Sequence, residues 1–230
     1  MDRDELKRAA ALRAVEYVDD GMVLGLGTGS TATFVVQALG ERVGQGLKIV
    51  GIPTSERTAT LARSLGIPLA SFAEHQRIDL TIDGADEVDR HTLNLIKGLG
   101  GALLREKIVA AASRRLVIVV DQEKLVDRLG DHTPVPIEVV QFGWQSTQAA
   151  IKKLGADPML RHAAEDHPFI TDGGNYILDC RFAGIADPQT LERQIGAIVG
   201  VVESGLFVGR SSAVIVASTS GVEVLAEGAS

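Results

Sequence analysis

The sequence of 230 residues has little that would cross-link it, carry it into a membrane or attract nucleic acid. Its one cysteine, Cys180, excludes an internal disulfide, and we expect this residue to be a packed small side chain. No apolar run approaches the about 18 residues of a transmembrane helix. The charged start, Met1–Arg8, lacks the apolar core of a signal peptide. A net charge of −7 argues against affinity for nucleic acid or anionic membranes. Taken together, these features predict a cytoplasmic protein that binds neither.

Aromatic residues make up only 4% of the chain, whereas small and branched apolar residues abound, as in layered α/β folds. Short apolar segments alternate with amphipathic ones through the first half of the chain, and Ser55 is placed to cap a helix. Strands are predicted at 22–26, 48–52, 67–71, 80–82 and 116–120, and helices at 5–17, from about 31 to 39, 56–65 and 103–113. This alternation predicts parallel strands joined by right-handed crossovers.

Two prolines, Pro134 and Pro136, mark a linker after which the pattern changes. Beyond it we predict strands at 136–142, 158–162, 168–182 and 200–204, with helices at 144–154 and 188–198. The order β-α-β-β-α-β is that of a split, ferredoxin-like unit. Short strands within 206–218 and 222–225 are expected to rejoin the first sheet. The predicted fold is therefore α/β: a Rossmann-like, mostly parallel domain (1–130 plus 206–230) with an inserted ferredoxin-like α+β domain (131–205).

The segment Asp83-Gly84-Ala85-Asp86-Glu87 and the later segment 97–107, KGLGGALLREK, carry the clearest chemical signal. They place carboxylates, Lys97 and a glycine-rich loop at turns between strands and helices, where open α/β sheets bind small ligands. A lysine that neutralises an oxyanion, with a carboxylate that moves a proton, suffices for enolisation beside a carbonyl, without any cofactor. The alternative is that Asp and Gly are ordinary turn residues and that Glu106 only complements a helix dipole.

The segment Gly25–Thr31 resembles a dinucleotide-binding loop, but Ser30 occupies the last glycine position and the P-loop lysine is missing. Its hydroxyl groups, on Thr28, Ser30 and Thr31, come at a predicted helix N-terminus, which suits a phosphate monoester. A tight turn followed by an ordinary N-cap explains the pattern equally well.

The carboxylates of the acidic turn could instead bind a hard cation; they are those of Asp83, Asp86, Glu87 and Asp89. The turn does not match the calcium-loop pattern, however. The histidines form neither an HExxH pair nor a Cys/His cluster. We therefore expect no metal requirement.

Five segments in order, Gly25–Thr31, Asp83–Glu87, Lys97–Lys107, Asp121–Lys124 and Pro134–Val140, closely resemble ribose-5-phosphate isomerase of the type A family. The resemblance extends to TDGGN at 171–175 in the small domain. It implies interconversion of ribose 5-phosphate and ribulose 5-phosphate in the non-oxidative branch of the pentose phosphate pathway. It also implies a homo-oligomer, a dimer or a tetramer, that needs neither metal nor organic cofactor.

By this resemblance Glu106 is the base that moves a proton between C2 and C1, and Lys97 stabilises the oxyanion. Asp83 and Asp86 bind sugar hydroxyls, and Asp83 assists ring opening. The phosphate is bound by the turn from Thr28 to Thr31 and by Lys124, with Lys7 a weaker candidate. The resemblance places in the substrate site Thr28, Gly29, Ser30, Thr31, Asp83, Gly84, Ala85, Asp86, Lys97, Gly98, Leu99, Gly100, Lys124 and Lys7. Leu99 is a departure, because many members carry a third glycine there.

Two other functions fit parts of the pattern. A sugar-phosphate-sensing module of a transcription regulator should carry a helix-turn-helix, but a single short helix precedes the first strand. A related sugar-phosphate lactonase or amino-sugar deaminase should present a catalytic histidine, and none lies in these motifs. The sequence favours the isomerase.

Overall fold

A computed structural model describes residues 2–163 and 167–226 of the chain. Its helices are α1 (Arg3–Val15), α2 (Ser30–Gly44), α3 (Glu56–Ser64), α4 (Leu103–Ala111), α5 (Trp144–Lys152) and α6 (Pro188–Gly196). Its strands are β1 (Val23–Leu26), β2 (Val50–Pro53), β3 (Leu80–Asp83), β4 (Glu87–Asp89), β5 (Leu95–Ile96), β6 (Leu116–Asp121), β7 (Leu125–Val126), β8 (Val135–Val139), β9 (Asp157–Leu160), β10 (Tyr176–Arg181), β11 (Val201–Ser204), β12 (Leu206–Phe207), β13 (Ala213–Ser218) and β14 (Gly221–Ala226).

These elements form two compact units. Among the described residues, unit 1 comprises 2–85, 105–124 and 210–226, and unit 2 comprises 86–104, 125–163 and 167–209. The domain boundaries predicted from sequence fall after residue 130 and before residue 206, whereas the boundaries between these units fall after residues 85, 104, 124 and 209. The largest difference is that the segment with β4 and β5 belongs to unit 2.

Unit 1 is built on a six-stranded sheet in the order β14-β13-β6-β3-β1-β2. All neighbours pair in parallel except β13 and β14, which form an antiparallel hairpin at one edge. The prediction of a Rossmann-like, mostly parallel sheet is confirmed. The prediction that the end of the chain returns to this sheet is confirmed for β13 and β14.

Helices cover both faces of this sheet. Leu24 and Leu26 of β1 pack into an apolar cluster with residues of α1 and α2. Gly25 alternates to the other face, where a Cβ would lie 2.6 Å from Val109 of α4. A strand buried on both faces explains the short, almost wholly apolar segments of the sequence.

Unit 2 contains an antiparallel sheet in the order β11-β8-β10-β9, with α5 between β8 and β9 and α6 between β10 and β11. This is the predicted ferredoxin-like arrangement. The thiol of Cys180 is fully buried in its core, as expected, and burial raises the pKa of this thiol.

The long strand predicted at 168–182 is wrong in its first half, because only Tyr176–Arg181 is a strand. The TDGGN segment before it is a turn around the buried carboxylate of Glu138. The hydroxyl of Thr171 and the side-chain amide of Asn175 both donate to Glu138 Oε1, each at 2.9 Å. The turn therefore satisfies a buried charge instead of extending the sheet.

A second sheet in unit 2 has the order β12-β5-β4-β7 and was not predicted. Leu206 and Phe207 form β12 and pair with β5, so the prediction that this part of the tail joins the first sheet is wrong. The strands have only two or three residues, and β7 and β12 pair with strands that are distant in the sequence. Such short strands leave no local periodicity.

Candidate functional site

The residues predicted for substrate binding fall in both units, and those of unit 1, apart from Lys7 of α1, lie at the carboxyl edge of its sheet. From β1 the chain passes to β2 on one side, and β3 lies on the other side of β1. Such a switch point in strand order is where open α/β sheets bind ligands. The turn after β1, Gly27–Thr31, and the end of β3, Asp83–Ala85, meet at this place.

Asp83 joins the two turns. Its side chain is buried, and its Oδ1 accepts hydrogen bonds from the amides of Thr28 at 3.0 Å and Gly84 at 2.8 Å. A Cβ at Gly27 would lie 2.3 Å from the same Oδ1, so a side chain at position 27 would push the turns apart. The glycine after β1 is thus explained by the close approach of the Asp83 carboxylate.

Behind the β1 turn lies a cluster of buried hydroxyl groups. The Thr28 hydroxyl is 2.7 Å from that of Thr54, 2.8 Å from that of Ser55 and 3.0 Å from that of Thr58. Thr58 Oγ1 also donates to the carbonyl of Gly27. Ser55 caps α3, as predicted, by accepting from the amide of Thr58. Thr54 and Thr58 were missed, although Thr54 directly follows β2 at the same edge of the sheet.

Because the Thr28 hydroxyl bonds inward, the hydroxyls of this turn that reach solvent are those of Ser30, which is exposed, and Thr31, which is half-buried. Both belong to the first turn of α2, whose N-cap is Gly29. Among the described residues, no side chain caps this end of α2. Its amides and its dipole therefore favour an anion.

Two lysines of unit 1 were predicted for the phosphate. Lys124 is half-buried and ends a 3₁₀ turn, Gln122–Lys124, that follows β6 at the same edge of the sheet. Lys7 is half-buried in α1 with its Nζ 3.3 Å from Asp4 Oδ1. Lys124 thus follows a strand that pairs with β3, whereas Lys7 lies on a helix.

Glu106 lies in the first turn of α4, and its side chain is buried. The next residue, Lys107, is also buried, and sequence analysis missed it because lysines are usually exposed. The preceding Arg105 is half-buried and pairs with Glu56 of α3 at 2.8 Å. A carboxylate that only complements a helix dipole would stay in water, since burial of a charge costs free energy. The burial of Glu106 therefore favours a chemical role.

In unit 2, Lys97 directly follows β5 and is buried, with 2% of its surface exposed. Its amide donates to the carbonyl of Gly205 at 2.9 Å, and its Nζ lies 5.5 Å from the centre of the Phe207 ring. An aromatic face within about 6 Å attracts an ammonium group. Lys97 is thus not a solubilising surface lysine.

Asp86 begins unit 2 and binds the loop that follows Lys97. Its amide donates to the carbonyl of Ile96 at 2.8 Å, and its Oδ2 accepts from the amide of Leu99 at 2.9 Å. Of the other residues predicted for substrate binding, Gly84 and Ala85 in unit 1 are half-buried, while in unit 2 Gly98 is buried and Leu99 and Gly100 are exposed.

Glu87 was considered as a cation ligand, but its carboxylate binds backbone amides. Oε2 accepts from Gly130 at 2.7 Å, and Oε1 accepts from His132 at 2.9 Å and from Thr133. Over residues 2–163 and 167–226, no group of three His, Cys, Asp or Glu side chains is placed to hold a metal ion. Over the same residues, no helix combines the length and apolar character needed to cross a membrane.

Comparison with known proteins relates the whole chain to one family. Residues 50–221 match the family model of ribose 5-phosphate isomerase A (phosphoriboisomerase A). Ribose-5-phosphate isomerase A of Gloeobacter violaceus is 64% identical over 225 residues, which cover 98% of this chain and 97% of the relative. The corresponding protein of a Synechococcus species is 55% identical, with 96% and 97% covered.

Solved structures that resemble this chain belong to the same family as its sequence relatives. A D-ribose-5-phosphate isomerase in complex with phospho-erythronic acid has a TM-score of 0.96 and 42% identity, covering 99% of this chain and 100% of that one. Ribose 5-phosphate isomerase A of Methanocaldococcus jannaschii has a TM-score of 0.94 and 41% identity, covering 98% and 100%.

Proposed function

Because this chain belongs to the ribose 5-phosphate isomerase A family and is an isomerase, we propose that it interconverts D-ribose 5-phosphate and D-ribulose 5-phosphate through an enediolate. The observation that carries the proposal is the buried carboxylate of Glu106 in the first turn of α4. A buried carboxylate is held in place and shielded from water, and both conditions favour a general base.

Glu106 removes the proton from C2 of the open-chain aldose, and the electrons form the enediolate. The same carboxyl group returns the proton to C1 while the hydroxyl proton moves from O2 to O1, which completes the ketose. Lys97 stabilises the negative charge that develops on the oxygen during both steps. Its ammonium group is buried, and charge stabilisation is stronger where water is excluded.

Asp83 and Asp86 bind the sugar hydroxyls, and Asp83 assists opening of the ring. The hydrogen bonds from Thr28 and Gly84 hold the Asp83 carboxylate in one orientation. Backbone groups of Gly84, Ala85 and the loop at 98–100 complete the contacts to the sugar.

The phosphate binds at the N-terminus of α2, where Gly29, Ser30 and Thr31 offer amides and hydroxyls. Lys124 adds a positive charge, and Lys7 is a weaker contributor. Thr28 shapes the turn through its internal hydrogen bonds. The net charge of −7 means that the overall field of the protein does not attract an anionic substrate, so binding depends on these local groups.

Incubation of the chain with ribose 5-phosphate in excess chelator tests the function. Ketose should form, since the proposed electrophile is the Lys97 ammonium and not a divalent ion. Unphosphorylated ribose is the control and should react very poorly, because the phosphate supplies binding energy that orients the sugar. Complete loss of turnover with chelator, restored by one metal, would contradict the cofactor-free mechanism.

We also propose that the enzyme is cytoplasmic and forms a homodimer. Phe142 and Val199 of unit 2 are 95% and 92% exposed. The hydrogen bond from the Val140 amide to the Gly200 carbonyl brings their two loops together. Large exposed apolar side chains grouped in this way are typical of a surface that a partner covers.

A further inference from the structure

The loop that follows Lys97 is held by an arginine from the ferredoxin-like part of unit 2. Arg161 follows β9, and its Nη1 donates to the carbonyls of Gly98 and Leu99, each at 3.0 Å. Only 12% of its side chain is exposed. A charge-assisted hydrogen bond to each of two successive carbonyls fixes the orientation of both peptide groups.

The guanidinium group is itself held from two other directions. Its Nε donates to Asp179 Oδ2 at 2.8 Å, and its Nη2 donates to Asp179 Oδ1. Its centre also lies 5.8 Å from the centre of the Phe169 ring. Four donors are thereby directed by a carboxylate and two carbonyls, a geometry that a lysine cannot reproduce.

Phe169 contacts the same loop. A Cβ at Gly101, where φ is +82°, would lie 2.4 Å from the tip of the Phe169 ring. A side chain at this position would therefore clash with the ring as well as strain the backbone. The Phe169 ring thus closes over the end of the loop while Arg161 binds its beginning.

The opposite side of the loop contacts Asp86, which is proposed to bind the sugar. In a planar trans peptide the C=O and the N–H point in opposite directions. The peptide joining Gly98 and Leu99 therefore runs from Arg161 at its carbonyl to Asp86 at its amide. By the same geometry, the amide of Gly100 points away from Arg161.

We propose that Arg161, oriented by Asp179 and Phe169, is a positioning residue for the isomerisation. It orients the peptides between Gly98 and Gly100 and so aligns Asp86 and the segment just after Lys97. This inference rests on the proposed function of Lys97, Asp86 and this loop in binding the sugar. Arg161 acts through the loop and itself takes no part in the chemistry.

Arg161→Ala is the primary test, with Arg181→Ala, at an exposed arginine of β10, as the matched control. Small misplacements of binding groups cost up to about 10²-fold in rate, so kcat/KM for ribose 5-phosphate should fall by about 10- to 100-fold. The control should retain the parent's kcat/KM. Guanidinium chloride at low millimolar concentration should partly restore turnover to Arg161→Ala, whereas sodium chloride of equal ionic strength should not.

The inhibition constants of two probes distinguish a positioning role of Arg161 from a general disturbance of the structure. Phospho-erythronic acid carries a carboxylate in place of the enediolate oxygens, and its inhibition constant should rise about tenfold or more in Arg161→Ala. Inorganic phosphate occupies only the phosphate position, and its inhibition constant should not change. Arg161→Lys keeps the charge without the fork and should show the same division; it also decides the matter if Arg161→Ala does not fold.

A folded Arg161→Ala protein with turnover close to that of the parent would overturn the inference. An equal loss of affinity for both probes would also overturn it. A parent chain that does not isomerise ribose 5-phosphate would instead overturn the proposed function. The binding of phospho-erythronic acid by parent and variant would still be measurable in that case. The two failures are therefore distinguishable.

Discussion

Leu99 departs from the glycine that the family resemblance implies at this position, and its backbone explains why a side chain fits. Among the described residues other than glycine, only Leu93 has a positive φ, so Leu99 adopts a conformation open to any residue. Its amide and carbonyl bind Asp86 and Arg161, while 44% of its surface is exposed. The loop depends on the hydrogen bonds of the amide and the carbonyl of residue 99, and the leucine side chain interferes with neither.

Replacement of Glu106 by glutamine tests the proposed base. The variant keeps the size of the side chain but cannot accept the C2 proton. A positioned general base contributes about 10²–10⁴ in rate, so kcat should fall by at least that order while KM changes little. The steady-state turnover rate and the rate at which the C2 hydrogen exchanges with solvent deuterium should fall together.

The matched control is Glu41→Gln, at an exposed glutamate of α2, which should leave turnover unchanged. Circular dichroism and thermal unfolding should show that both variants fold. A folded Glu106→Gln protein that isomerises within a few-fold of the parent would show that another group, with Asp83 the foremost candidate, is the base.

At the level of secondary structure elements, the turn between β1 and α2 separates two kinds of hydroxyl. The Thr28 hydroxyl bonds to those of Thr54 and Thr58 inside unit 1, and those of Ser30 and Thr31 lie in the open first turn of α2. The inner group holds the turn, and the outer group is available to a phosphate. Substitution of the outer pair should therefore affect substrate binding without unfolding the turn.

The double variant Ser30→Ala, Thr31→Ala should lower kcat/KM for ribose 5-phosphate. Each hydrogen bond to a charged group contributes about 1.5–3 kcal/mol, which predicts a loss of roughly 10-fold or more per hydroxyl. The double variant Thr60→Ala, Ser64→Ala, at exposed hydroxyls of α3, is the control and should be unaffected. Unchanged kinetics for the first variant would remove this turn from the phosphate site.

Glu87 serves the fold of unit 2 and not the chemistry. Its buried carboxylate accepts the amides of Gly130, His132 and Thr133, in the segment between β7 and β8. In Glu87→Gln one acceptor oxygen is replaced by an NH₂ group facing a backbone donor. We expect the free energy of unfolding to fall by about 1–3 kcal/mol, since a buried donor is left unsatisfied.

Urea denaturation would measure this change, with Glu223→Gln, at an exposed position of β14, as the control. A metal dependence of turnover that disappears in Glu87→Gln would contradict the structural role.

At the scale of the whole molecule, the proposed dimer can be tested at the exposed apolar loops of unit 2. Phe142→Glu and Val199→Glu should each weaken association, because burial of such a side chain contributes about 1.5–3 kcal/mol and a two-fold interface counts it twice. Light scattering with size-exclusion chromatography should show dissociation at concentrations where the parent is dimeric. Leu12→Glu, at a half-exposed leucine of α1, is the control. A dimer unaffected by both substitutions would place the interface elsewhere.

Local patterns predicted most of the larger elements because burial on one or both faces leaves a periodic record in the sequence. The apolar segment of β6, the Ser55 cap of α3 and the βαββαβ order of unit 2 were each predicted. The sheet that joins the two-residue strands β5, β7 and β12 to β4 was not predicted, since two residues show no period. The turn at 171–175 was interpreted as strand because nothing local indicates the buried Glu138 that organises it.

Local periodicity and motifs of contiguous residues are enough to identify the fold class, the family and the residues with candidate chemistry. Three findings follow only from the folded chain: the Thr28 hydroxyl bonds inward, Glu87 binds a loop, and Arg161 binds carbonyls 62 and 63 residues away. Such contacts join segments distant in the chain, and the alternatives for each side chain differ only in which partner the fold brings within hydrogen-bonding distance. One sequence carries no local record of that choice.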